Sequence, residues 1–110
     1  MAGTAEPQYL YLTTRGRRSG LPREIEIWFT QRDGRYYVIA EHGARAQWVR
    51  NLRMDPRIQV RLEAERGAAL ARVVDAVAEP ALVAVVQQRF REKYGWGEGL
   101  VVEIVPEVAT

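Results

Sequence analysis

The chain has 110 residues, 47% of them hydrophobic and 27% charged, a formal net charge of +2 and no cysteine, which fits one soluble domain over residues 1–110 with a single core and excludes a disordered chain. No run approaches the ~20 apolar residues of a membrane-spanning helix, and the opening "MAGTAEPQ" lacks the regions of a secretion signal. Without cysteine there is no disulfide or thiol chemistry, which suits a reducing compartment, so a cytoplasmic location is expected.

"QYLYLTT" (8–14) is a run of aromatic, β-branched and leucine residues that follows Pro7 and stops at an arginine-glycine cluster, so it reads as a strand. "REIEIWFTQ" (23–31) alternates, with Ile25, Ile27 and Phe29 on one face and Glu24, Glu26 and Trp28 on the other, and is a second strand. Asp33 and Gly34 supply a tight hairpin turn into a third strand, "RYYVIAE" (35–41), antiparallel to the second. The pattern then changes to "HGARAQWVRNLRMDP", where Ala44, Trp48, Val49 and Leu52 keep helical spacing until Asp55 and Pro56. "RIQVRLE" and "AALARVVDAV" give strands four and five across the turn "AERG" (64–67). Glu79 and Pro80 open a second helix with Leu82, Val83, Val86 and Phe90 as its stripe and Gly95 as its end, and "GLVVEIVPE" is a sixth strand. Mainly antiparallel strands with two helices predict a mainly β (α+β) fold, a small closed or partly closed six-stranded barrel, since closure removes exposed edges.

Three stretches carry candidate chemistry. The turn "RGRRSGLPR" crowds Arg15, Arg17, Arg18 and Arg23 around two glycines and Ser19, the parts of an anion cradle in which glycine lets amides converge and arginine grips phosphate bidentately. Charge runs are more often simply solvated, here with Glu24 and Glu26 as partial neutralisers. "AEHGARAQWVRNL" leads from a strand end into a helix start, where free N–H groups favour anions. At 100° per residue Asn51 lies beside the Ala44, Trp48 and Leu52 face, placed either to reach a ligand along Trp48 or to satisfy buried groups. In "YGWGEG", Tyr94 and Trp96 fit a helix cap followed by a packed linker better than an aromatic lid. His42, the only histidine, has no companions at ligand spacing, so no metal site is expected. Ser19 lacks a nucleophile elbow, and a hydrolase is rejected. Nucleic acid is not an expected partner, because Glu24, Glu26, Glu63 and Glu65 interrupt any basic stripe.

Taken in order, "LTTRGRRSGLPR", "YYVIAEHGARAQWVRNL" and "DPRIQVRL" resemble the deazaflavin-dependent nitroreductase family, within the flavin-binding split barrels related to pyridoxamine phosphate oxidase. The resemblance implies a six-stranded split barrel that holds coenzyme F420, or alternatively FMN, and transfers hydride to a small organic acceptor such as a quinone or nitro compound. The family's Gly-Arg-Lys-Ser-Gly turn is matched by Gly16, Arg17, Arg18, Ser19 and Gly20, which the resemblance places at the cofactor phosphate. Its Trp-x-x-Asn-Leu motif is matched by Trp48, Asn51 and Leu52. The resemblance further implies that Ala40, Glu41, His42 and Gly43 line the cofactor ring through backbone groups and that Arg23 and Arg45 contact the phosphate or an acidic tail. It assigns no catalytic side chain, because the cofactor performs the redox step. Many members carry Asn-Pro before the tryptophan, Tyr-His after it and an N-terminal helix, whereas this chain has "RAQ" before and Val49-Arg50 after, and its first strand begins almost at once. The short form suits a homodimer in which a partner covers the pocket. An FMN-dependent oxidoreductase and a non-catalytic cofactor binder are the competing readings.

Overall fold

The computed structural model describes residues 6–107. Seven strands, β1 (Tyr9–Arg15), β2 (Pro22–Trp28), β3 (Thr30–Arg32), β4 (Arg35–Ala40), β5 (Arg57–Leu62), β6 (Glu65–Val73) and β7 (Leu100–Pro106), join two helices, α1 (Gln47–Met54) and α2 (Pro80–Tyr94). All strand pairs are antiparallel, in the order β2-β1-β5-β6-β7-β4-β3.

The strand count is seven where the sequence predicts six, and Phe29 is the reason. β2 pairs with β1 at one border of the sheet and β3 pairs with β4 at the other, with Phe29 alone between them. A chain that crosses between borders in one residue requires the sheet to curl until they meet, giving a half-barrel. The alternation of Ile25, Ile27 and Phe29 carries up to the crossing and breaks only at Thr30, buried like Phe29, so the sequence pattern reads one strand where backbone pairing makes two. The Phe29 ring is fully buried, a burial worth roughly 1.5–3 kcal/mol.

Alternation along the central strands builds two layers. Val38, Val102 and Ile104 point into the barrel with Leu10, Leu12, Ile58 and Val60. Tyr37, Ile39 and Val101 face outward and are covered by Val86 and Phe90 of α2. The Asp33 and Gly34 turn forms as expected, with φ of 54° and 74°, the doubly positive geometry of a two-residue hairpin. Gly95 ends α2 at φ 75° with its N–H on the Arg91 carbonyl at 2.9 Å.

Three boundaries move. The β5–β6 turn is Glu63 and Ala64, with Glu63 at φ 55°, so Gly67 sits within β6 opposite Val60 instead of in the turn. Strand β6 ends at Val73 because the Asp75 carboxylate accepts the amide of Val77 at 2.8 Å and turns the chain. The first helix also starts late. Gly43–Arg45 forms a 3-10 turn, Ala46 is extended at ψ 135°, and α1 begins at Gln47. Trp48 and Leu52 of α1 pack on the barrel core.

Candidate functional site

The β1–β2 hairpin closes on itself. The Gly16 amide donates to the Leu21 carbonyl and the Gly20 amide to the Gly16 carbonyl, both at 2.8 Å. The Leu21 amide donates to Ser19 Oγ at 3.1 Å, and the Arg17 amide to Asn51 Oδ1 at 3.2 Å. Three amides of the turn are therefore consumed within it and a fourth by α1, and what it offers an anion is guanidinium more than backbone. Gly16 is buried, and a Cβ there would lie 2.6 Å from Ser19 Oγ and 3.2 Å from the Leu21 carbonyl oxygen, so the fold of the turn demands glycine.

Of the turn's four arginines, the neighbouring carboxylates reach only Arg15. Glu24 pairs with Arg61 at 3.5 Å, whose guanidinium lies 3.9 Å above the Tyr11 ring. Glu26 accepts the Tyr11 hydroxyl at 3.0 Å, and that bond to a negative group pushes the Tyr11 phenol above its usual range. Asp55 takes Arg57 at 3.0 Å and Arg15 at 3.8 Å, with Arg57's hydrogen bonds holding its carboxyl below the usual value. Among the described residues, no carboxylate lies within 4.0 Å of the Arg17, Arg18 or Arg23 guanidinium.

These three arginines border a groove of about 710 Å³. One wall is the hairpin and the start of β2, with Ser19, Ile25 and the carboxylate of Glu24, which is paired with Arg61. The other is α1, with Gln47, Trp48 and Asn51. Trp48 is half-buried, packing partly on the barrel core and leaving flat apolar surface to the groove. Asn51 is 5% exposed. Its Oδ1 accepts both Arg17 groups, the amide at 3.2 Å and Nη1 at 2.9 Å, and its Nδ2 donates to Thr14 Oγ1 at 3.1 Å.

The groove thus gathers Arg17, Arg18, Ser19, Arg23, Trp48 and Asn51. It does not include Ala40, Glu41, His42, Gly43 or Arg45. Ala40 is buried at the end of β4, while Glu41, His42 and Arg45 are exposed around the 3-10 turn. Gly20 lies outside the groove and borders two other hollows, one of about 320 Å³ that it shares with Arg17, Arg18 and Ser19 and one of about 560 Å³ with Arg57 and Arg66.

Two polar clusters outside the groove escape sequence reasoning. Glu103, 2% exposed, accepts Arg72 Nε at 2.8 Å, the Tyr37 hydroxyl at 2.9 Å and Arg35 Nη1 at 3.2 Å. Arg72 also grips Glu79, at 2.6 and 3.0 Å. At the end of α2, the Tyr94 hydroxyl accepts the Phe29 amide at 3.0 Å and lies 2.6 Å from the Gln8 carbonyl oxygen. Its ring stacks on Trp28 with centroids 4.3 Å apart. Trp96 meets Phe90 and Trp28 edge-on, so this segment is packed structure and not a lid. Spacings of 31 to 68 residues between Glu103 and its partners, and of 65 to 86 between Tyr94 and its own, left no local signal for either cluster. Among the described residues, no group of three His, Asp or Glu side chains is placed to hold a metal, and no helix is long and apolar enough to cross a membrane.

The architecture is that of the split barrels. A Listeria innocua protein assigned as a pyridoxamine 5′-phosphate oxidase superposes with a TM-score of 0.72 at 17% identity, covering 93% of this chain and 86% of its own. An F420-H2 dependent reductase, FDR-A, gives 0.67 at 16% identity, covering 94% and 99%. A structure described as a domain-swapped dimer gives 0.64 at 19% identity, covering 94% and 82%. A family model for the F420H(2)-dependent quinone reductases matches residues 3–97, and the chain belongs to that family. It is an oxidoreductase whose family cofactor is F420, and the groove suits such a group: three cations with no carboxylate within 4.0 Å outnumber its one carboxylate, Glu24, and stand beside an indole face. The same cation-and-ring arrangement accommodates FMN as the alternative.

Proposed function

We propose that this protein transfers hydride between F420 and a small organic acceptor such as a quinone or nitro compound, and that the groove between the β1–β2 hairpin and α1 holds the cofactor's anionic end. The observation that carries this reading is the convergence of Arg17, Arg18 and Arg23, free of carboxylate partners, on one cavity faced by Trp48. When bound, the deazaflavin supplies the redox chemistry. The chain's own residues bind and orient. The guanidinium groups grip anionic oxygens, Ser19 keeps its hydroxyl proton available because its oxygen accepts the Leu21 amide, and Trp48 with Ile25 provides apolar surface for a flat ring. A ligand confined to the groove touches none of Ala40, Glu41, His42, Gly43 or Arg45, which become contacts only for one that extends past Gln47 toward the 3-10 turn. We read the working form as a homodimer, with the second copy covering the open side of the groove.

The test is titration of the purified protein with F420 and with FMN, followed by tryptophan quenching and ligand absorbance, then turnover with quinone and nitro acceptors. The double variant Arg17→Ala, Arg18→Ala loses two charge-assisted contacts, each worth about 1.5–3 kcal/mol, so affinity falls by roughly a hundredfold or more. Equal affinity in the double variant, or no binding of either cofactor by the wild type, refutes the reading. Tight binding with no turnover identifies a cofactor carrier instead.

A further inference from the structure

We infer that Asn51 is a positioning residue that acts through Arg17, docking the hairpin and its guanidinium onto α1 while leaving the positive charge unneutralised for the ligand. This role rests on the binding reading above. The geometry is specific: one amide oxygen receives both the backbone N–H of Arg17 at 3.2 Å and its side-chain Nη1 at 2.9 Å. Two bonds from the same residue to one atom fix the turn backbone and the direction of the arginine together. Arginine is rotamer-rich, and a guanidinium immobilised during folding forfeits less freedom when a ligand arrives. The anchor is itself rigid, since Nδ2 donates to Thr14 Oγ1 at 3.1 Å and Thr14 and Asn51 are 1% and 5% exposed.

The chemical identity of the anchor matters as much as its place. Aspartate has the same size and would accept from Arg17 more strongly, and the Thr14 hydroxyl is free to turn its proton toward a carboxylate. Such an exchange would keep the hairpin docked and cancel the charge that makes Arg17 useful. An amide positions the cation without neutralising it. The other carboxylates nearby are paired with other arginines, Glu24 of the groove wall with Arg61 and Asp55 with Arg57.

The experiment compares F420 affinity and thermal midpoint for the wild type, Asn51→Asp, Asn51→Ala, Arg17→Ala and the Arg17→Ala, Asn51→Ala double variant. Asn51→Asp is expected to melt within a few degrees of the wild type yet bind F420 about ten- to a hundredfold more weakly, near the level of Arg17→Ala. The double variant is expected to bind no worse than Arg17→Ala alone, because both changes remove one effect. A folded Asn51→Asp protein that binds like the wild type reduces Asn51 to a structural anchor and overturns the inference, as does a double variant whose losses add. Those outcomes differ from failure of the functional reading, which is a wild-type protein that does not bind F420 and which removes this role with it.

Discussion

Replacing Glu103 with glutamine isolates the outer layer of the barrel from its groove. The carboxylate lies on β7 and accepts from Arg72 on β6 and from Tyr37 and Arg35 on β4, so it ties three adjacent strands, and through Arg72 and Glu79 it reaches the start of α2. Glutamine keeps the size but turns an NH2 group toward one of the donors. Hydrogen bonds to charged groups are worth about 1.5–3 kcal/mol each. Arg72 and Arg35 are 47% and 48% exposed, so solvent screens their share toward the lower end. A net loss of about 2–4 kcal/mol follows, and at roughly 4 °C per kcal/mol for a domain of this size the midpoint falls by about 8–16 °C. Burial by itself raises the Glu103 carboxyl, but the bonds from Arg72, Tyr37 and Arg35 outweigh it and hold the group below its ordinary value of 4.5. A carboxyl depressed in the folded state stabilises fully above its unfolded value and loses that stabilisation as pH falls through the folded one. The wild-type advantage over Glu103→Gln is therefore complete at neutral pH and shrinks below about pH 4.5. Circular dichroism melts across pH, with F420 titration at neutral pH, provide the assay. A midpoint shift under about 4 °C, equivalent to about 1 kcal/mol, or a loss of affinity without loss of stability, refutes the reasoning, since Glu103 does not border the groove.

Tyr94→Phe keeps the stack on Trp28 but removes the hydroxyl that meets the Phe29 amide at 3.0 Å and the Gln8 carbonyl at 2.6 Å, so stability falls by about 1–2 kcal/mol. Hydrogen exchange at the Phe29 amide should accelerate, and unchanged protection would show that the clamp contributes nothing. Gly16→Ala forces Ser19 Oγ and the Leu21 carbonyl away from the added methyl. Stability changes by about 1 kcal/mol, while F420 affinity drops severalfold as the arginines shift, which isothermal titration reads directly and an unaltered dissociation constant would contradict.

Much of this fold is readable locally. Asp33-Gly34 and the alternating strands on either side define a hairpin, and Pro80 and Gly95 bracket α2 within a residue, because turns and caps depend on the backbone preferences of a few adjacent residues. The crossing at Phe29 is not readable, since alternation reports which face a side chain occupies and not which strand its backbone bonds to. Gly67 misled for a related reason: glycine marks turns, yet here it occupies a strand whose turn is made by Glu63 at positive φ. Within the site, the arginine cluster and Trp48 were visible as composition and spacing. That the cations lack partners was not, because Glu24 and Asp55 are drawn away by Arg61, Arg57 and Arg15, and those pairings are set by strand register and tertiary approach.

The passage of the chain through Phe29 also limits how the cavity can respond to an occupant. Phe29 is pinned by its own ring, by Tyr94 and by Lys93, whose ammonium donates to the Phe29 carbonyl at 3.0 Å. The two borders of the sheet are consequently tethered at a common pivot, which holds the far end of the strand whose start forms one wall of the groove. With that strand held and Arg17 docked on Asn51, accommodation of guests differing in bulk falls to the exposed tips of Arg18 and Arg23.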